Sequence, residues 1–229
     1  MQDEPLALEI IAAVVQAALP HGVPVTLKMR TGWCDAEKNA LSLARAAESA
    51  GVQMVTVHGR TREQGYKGLA EYDTVAAVKA ALKIPVVANG DIDSPEKARD
   101  VLKFTGADAV MVGRAAQGSP WIFREIGHFL ATGEHLAPPL VAEVRRALLE
   151  HLQDHYSLYG EYTGVRSARK HIGWYVRSLS GGDDFREHMN TLETAQQQLD
   201  AVANFLDGLA SQMDRLPRLA AQPVLETLE

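Results

Sequence analysis

The chain has 229 residues, 46% apolar and 23% charged, with a formal net charge of −6. That balance excludes a global polycation, so a nucleic-acid site has to be a local basic patch. One cysteine excludes an internal disulfide and a multi-cysteine metal site and fits a reducing cytosol, and no apolar run approaches the about 18 residues of a membrane span.

The N-terminal MQDEPLALEII is acidic and lacks the basic region of a signal peptide. It leads into a helix over Pro5–Ala18, with Leu6, Ile10, Ile11, Val14 and Val15 on one face, stopped by Pro20-His21-Gly22. Val23–Met29 reads as a strand that runs into Arg30-Thr31-Gly32. Asp35 is the expected cap of a helix reaching Ala50, and Gly51 ends it. Val52–Val57 is a second strand, entering His58-Gly59-Arg60, with a polar loop over Arg62–Glu71 and a helix over Tyr72–Leu82. Ile84–Ala88 is a short apolar run, hence a fully buried strand, and ends in Asn89-Gly90-Asp91. Ser94 as N-cap and Pro95 at the first helical position open a helix that Gly106 closes. Ala107–Val112 is a fourth strand, stopping at Gly113-Arg114 before a helix over Ser119–Ala131.

Strands alternating with helices predict βαβ units and a parallel sheet. Each of the four strands ends in polar or glycine residues, the edge that carries ligands in a (β/α)8 barrel. A complete barrel needs eight strands. The expected fold is therefore α/β, the C-terminal half of a TIM (β/α)8 barrel, followed by an all-helical domain. The Gly133…Pro138-Pro139 linker places the boundary near Ala137, giving domains 1–137 and 138–229. Helices are expected over Leu140–Tyr156, with Leu148, Leu149 and Leu152 buried, over Arg166–Ser178 and over Thr191–Leu209, and fraying from Asp214.

Several residues at the strand ends suit chemistry. Lys28 lies on the face opposite Leu27 and Met29, and an inward lysine at that edge can stabilise a developing anion; the plainer reading is a solvated strand-end lysine. His58 ends an apolar strand, as a structural histidine or a group for proton work near neutrality. Asn89, Gly90, Asp91, Gly113 and Arg114 read either as ordinary turns or, taken together on neighbouring strands, as a cradle for a phosphorylated cofactor. Cys34 lies near the same edge but has no evident neighbour to activate it, so a free loop thiol is the simpler reading. In YTGVRSARKHIGWYVR, Arg166, Arg169 and Lys170 occupy adjoining helix positions beside Trp174 and Tyr175. Basic residues interleaved with aromatics suit phosphate contact and base stacking, against a solvated helix face with Ile172 and Trp174 in a core.

VPVTLKMRTGW, VTVHGRTR, IPVVANGDI, GADAVMVGRAAQGSPWIFREI and VRSARKHIGWY together resemble the bacterial tRNA-dihydrouridine synthases, most closely their B-type subfamily. The resemblance covers Pro5 to about Leu209. It implies an FMN-binding barrel followed by a tRNA-binding helical domain, with the C5–C6 bond of particular tRNA uridines reduced at the expense of NADPH. It implies that Lys28, His58, Asn89, Gly90, Asp91, Gly113 and Arg114 hold FMN, that Arg166, Arg169 and Lys170 contact tRNA, and that the protein is cytoplasmic, with no metal. The family's proton-donating cysteine sits in an Asn-Met-Gly-Cys-Pro motif; this sequence contains none, and Cys34, after Trp33, does not match it.

The chain starts where the helix after the fourth barrel strand should start, so truncation at the N-terminus is expected, with no catalytic residue in the chain and no turnover by the chain alone. The alternative is a non-catalytic remnant that keeps only tRNA or flavin-phosphate affinity. A half-barrel leaves two sheet edges, through which self-association is expected.

Overall fold

A computed structural model describes residues 2–217. They form two compact units that part after Arg114. The expected tail from Asp214 lies partly outside the described residues. What is described of it is pinned: Val141 N–H donates to Asp214 C=O at 2.9 Å and Leu216 N–H to Pro139 C=O at 3.0 Å.

In the first unit, helix α1 (Glu4–Ala18) is capped by the Asp3 carboxylate, which accepts from Leu6 N–H at 3.0 Å. Of its apolar face only Ile11 is buried, while Leu6, Ile10 and Val14 are exposed. Then follow β1 (Thr26–Arg30), α2 (Ala40–Ser49), β2 (Met54–His58), α3 (Asp73–Ala81), β3 (Val86–Asn89), α4 (Pro95–Thr105) and β4 (Ala109–Met111). The strands are parallel and ordered β1-β2-β3-β4, the arrangement of a partial (β/α) barrel. Val55, Val57, Val86 and Ala88 are fully buried, as are Leu43, Ala44 and Ala47 of α2, Val75 and Val78 of α3, and Ala98 and Val101 of α4. Burial contributes about 1.5–3 kcal/mol for each large side chain, which is why the strands read as apolar runs. Around α4, Ser94 Oγ accepts from Lys97 N–H at 3.1 Å, and Gly106 closes the helix at φ 66°, as the sequence predicts.

Asp35 does not cap α2. It opens a single 3₁₀ turn, Asp35–Glu37, and its carboxylate pairs with Lys38 at 3.3 Å. The backbone turns back there: Trp33 N–H donates to Glu37 C=O, and a Cβ on Gly32 would lie 2.1 Å from that oxygen. The close approach interrupts the helix, and α2 starts only at Ala40.

The second unit contains α5 (Ile122–Thr132), α6 (Val141–Val176), α7 (Gly182–Met189) and α8 (Ala195–Ala210). The segment 115–132 belongs with these helices and not with the strands, ahead of the boundary expected near Ala137. Gly118 lies against the backbone of Trp174 so closely that a Cβ would sit 2.3 Å from it, the Trp121 and Tyr175 rings meet edge-on at 6.2 Å, and Arg124 pairs with Glu143.

The two helices expected at Leu140–Tyr156 and Arg166–Ser178 extend towards each other and meet at Gly160 (φ 72°, ψ 170°), making α6 a helical hairpin with arms 141–159 and 161–176. Gly164 permits the closure, since a Cβ there would be 3.1 Å from the Tyr156 ring. Leu148 and Leu152 of one arm and Ala168, Ile172 and Val176 of the other are fully buried in the core with Val202 and Leu206 of α8, and Leu149 is partly buried against it. Helix α7 has no counterpart in the sequence reading. It begins at Gly182, behind a Gly181 N-cap, and its buried side chains are Phe185 and Met189. Its entry depends on a tertiary contact, because a Cβ on Gly182 would meet Val176 O at 2.0 Å. Helix α8 starts with a capping box, in which Thr194 Oγ1 accepts from Gln197 N–H and Gln197 Oε1 accepts from Thr194 N–H.

Candidate functional site

Register sets the site. Arg30, His58, Asn89 and Met111 are Cα partners across the four strands, so they occupy one row at the C-terminal edge and point to one face. Lys28 is two residues back on the same face, while Met29, Val57 and Ala88 point the other way into the core. Lys28 Nζ donates to Asn89 Oδ1 at 2.9 Å, and Asn89 Nδ2 donates to Met111 C=O at 2.8 Å. The carbonyl thus fixes the amide, and the amide orients the ammonium. Burial, then the Arg30 charge, lowers the Lys28 pKa.

His58 is buried, and its pKa falls from 6.5 to about 4. Burial is the largest cause, followed by the cations of Arg30, Lys28 and Arg60, with Asp91 opposing them. The imidazole is therefore neutral at pH 7, and suited to accept or donate a hydrogen bond without adding charge.

Gly90 has φ 121°, and a Cβ there would be 2.7 Å from Ala70 Cβ and 3.0 Å from His58 Cδ2, so both backbone and space demand glycine. Asp91 follows in the left-handed region at φ 46°, unusual for a residue with a side chain. Its carboxylate accounts for the conformation: Oδ2 accepts from Arg60 Nη2 at 2.7 Å and from Ala70 N–H at 2.8 Å, with Arg114 Nη2 3.7 Å from Oδ1. Asp91 therefore serves the loop that follows β2, and faces two cations. Arg114 is exposed at the end of β4, 4.7 Å over the Tyr66 ring, and Gly113 beside it leaves open space where a Cβ would be.

Sequence reasoning missed Arg60. It is 2% exposed, and its guanidinium donates to Lys67 C=O at 3.3 Å and Gly68 C=O at 2.7 Å besides Asp91. Arg30 likewise donates to Thr61 C=O at 2.8 Å and Gly65 C=O at 2.9 Å. Two guanidiniums thus tie down the polar loop through its backbone carbonyls. The place of Arg60 two residues after the strand-end histidine was the signal, and it does not distinguish a buried arginine from a solvated one. The edge carries four cations, Lys28, Arg30, Arg60 and Arg114, against the carboxylate of Asp91 and, two residues on, that of Asp93, a balance that suits a small anion.

In the helical unit the three basic residues separate. Arg166 is exposed with its guanidinium 3.7 Å over the Tyr162 ring, and Lys170 is exposed with Nζ 4.9 Å from the Trp174 ring. Arg169 turns inward and donates to Leu192 C=O at 3.0 Å. The arm thus presents two cations, each laid on an aromatic ring, with the third tying it to the segment ahead of α8. Cys34 is partly buried at the start of the 3₁₀ turn, where its C=O accepts from Glu37 N–H. Among the described residues, no helix is long and apolar enough to cross a membrane.

Residues 1–210 match the family model described as dihydrouridine synthase. The tRNA-dihydrouridine synthase B of Pseudomonas putida is 57% identical over 205 residues, covering 90% of this chain and 60% of that protein. Those of Xanthomonas axonopodis pv. citri and Shewanella oneidensis are each 56% identical, over 210 and 209 residues, covering 91% of this chain and 62% and 64% of theirs. The chain spans under two thirds of the length of these curated relatives.

Proposed function

Since the chain belongs to the dihydrouridine synthase family, we propose that it supplies the cofactor-holding strand edge and the tRNA-facing helices of an enzyme that reduces the C5–C6 bond of uridine in tRNA. The cofactors are FMN and NADPH, and the setting is the cytoplasm. The observation that carries this reading is the Lys28–Asn89–Met111 relay inside a rim of four cations. Its donor set fits a flavin phosphate: guanidiniums for a dianion, open space beside the Gly113 backbone where a phosphate can approach, and the Asp91 carboxylate already paired with Arg60. The chemistry FMN supplies when bound is hydride transfer, from NADPH and on to the uracil ring.

This chain's own residues have four tasks. Lys28, aimed by Asn89, meets negative charge on the ring system. His58, neutral at pH 7, offers a hydrogen bond beside it. Asn89, Gly90 and Asp91 line the phosphate-bearing side, where Gly113 and Arg114 bind the phosphate through backbone N–H and guanidinium. Arg166 and Lys170 contact tRNA phosphates, and Arg169 positions their helix.

No residue of the chain is assigned the proton transfer, since Cys34 lies outside any Asn-Met-Gly-Cys-Pro motif; the chain alone binds cofactor without turnover. The outer strands β1 and β4 offer backbone for self-association, which light scattering reads. Quenching of flavin fluorescence on titration tests the main reading. Saturable one-to-one binding, lost with added phosphate, is expected; no binding at about 100 μM FMN (roughly 5 kcal/mol of affinity) overturns it. Dihydrouridine formed from tRNA, FMN and NADPH by the chain alone would overturn only the assignment of no turnover.

A further inference from the structure

We propose that His151, His155 and His171 form a site for one transition-metal ion, Zn²⁺ in the cell, that clamps together the two arms of α6. His151 and His155 are four residues apart on the first arm, so they share a helix face. His171 comes from the second arm, delivered by the turn at Gly160. One ring nitrogen from each lies within 4.8 Å of the other two. Zinc–nitrogen bonds of about 2.0–2.1 Å in a tetrahedron set the nitrogens about 3.3 Å apart, so side-chain adjustments on the order of 1 Å close the site. The rings already converge obliquely: His171 meets His151 at 5.0 Å and 70°, and His155 at 5.1 Å and 59°, instead of stacking flat.

The surroundings support ligation. His155 is buried, and its Nε2 is 2.7 Å from Ser167 Oγ, which also donates to Thr163 C=O at 2.7 Å. A hydroxyl anchored in this way fixes ring orientation, the task that outer partners perform for metal-bound histidines. Three imidazoles without a carboxylate select zinc, copper or nickel over magnesium or calcium. His151 and His171 are partly exposed, which leaves an entry path and a fourth position for water. The plain alternative, aromatic packing of the rings against Tyr159, Trp174 and Tyr175, accounts for their contacts but not for three nitrogens gathered in one place. The clamp would hold the arm that presents Arg166 and Lys170.

The test uses the full chain stripped with chelator, then titrated with ZnCl₂ by calorimetry. Retained zinc is counted after desalting, and Co²⁺ absorption reports the geometry. Expected are one zinc per chain, a melting temperature raised by zinc but not by Mg²⁺ or Ca²⁺, and an intense tetrahedral Co²⁺ spectrum. His151→Gln and His171→Gln, each with unchanged circular dichroism, should abolish these, and Ser167→Ala should weaken zinc by about tenfold. No retained zinc, or equal zinc binding by both histidine variants, overturns the proposal. None of these readouts depends on flavin or tRNA.

Discussion

In the α/β unit the guanidinium of Arg60 is buried and held by a carboxylate and two carbonyls, while in the helical unit Arg166 lies exposed over a tyrosine ring. The same residue type is thus a fixed part of the fold in one place and an adaptable surface group in the other. A fixed cation rim suits one small anion in one pose, because its cost of ordering was met on folding. Exposed cations laid on aromatic rings suit a long polyanion, whose phosphates can be met in more than one arrangement.

The largest effect should come from breaking the fixed side. Arg60→Ala takes the guanidinium from the Asp91 carboxylate, which keeps Ala70 N–H and Arg114, and leaves two loop carbonyls unpaired, and is expected to cost about 3 kcal/mol in urea unfolding. A loss under about 1 kcal/mol would mean that the loop is held by something other than Arg60. The same cluster sets a pH dependence. The unfolded chain protonates His58 near 6.5 and the folded chain only near 4, so His58 contributes stability that is complete above about 6.5 and drains away as pH falls towards 4. The difference in melting temperature between the parent and His58→Gln should change across that window and be flat above it.

Lys28→Met removes an ammonium that holds one hydrogen bond, so it should leave the fold intact. Flavin affinity should drop by roughly 1.5–3 kcal/mol in the fluorescence titration, the usual worth of a hydrogen bond to a charged group. On the adaptable side, Arg166→Ala with Lys170→Ala should reduce by about 2 the slope of log affinity for tRNA against log salt, without touching flavin binding. Arg169→Ala is the internal control. It should leave that slope unchanged and cost about 1 kcal/mol of stability, because its guanidinium is used on Leu192 C=O. A slope change from Arg169→Ala would move that residue to the tRNA-contacting group. The smallest effect is Thr194→Ala, which opens the capping box of α8 for about 1 kcal/mol, read by thermal unfolding.

Much of the first unit was legible in the sequence because its signals are local. Apolar strand runs, Ser94-Pro95 at one end of a helix and Gly106 at the other act over a few residues, and the register then carried Lys28, His58 and Asn89 to a single edge. Asp35 misled because the cap signal was present while Gly32, packed on Glu37, had already turned the chain away. The second unit was less legible. Its hairpin depends on Gly160 and Gly164 acting across two arms, and α7 on Gly182 packing against Val176.

By itself, the sequence determined the order of strands and helices in the first unit, the parallel sheet and the strand-end positions of the rim, because side-chain periodicity and end-capping are set by near neighbours along the chain. Only the tertiary structure decided which cations are buried, which are presented, and which histidines meet. Arg60 and Arg166 look alike as letters; burial depends on whether acceptors such as Asp91 Oδ2 and Gly68 C=O arrive from elsewhere in the chain, which no local pattern records.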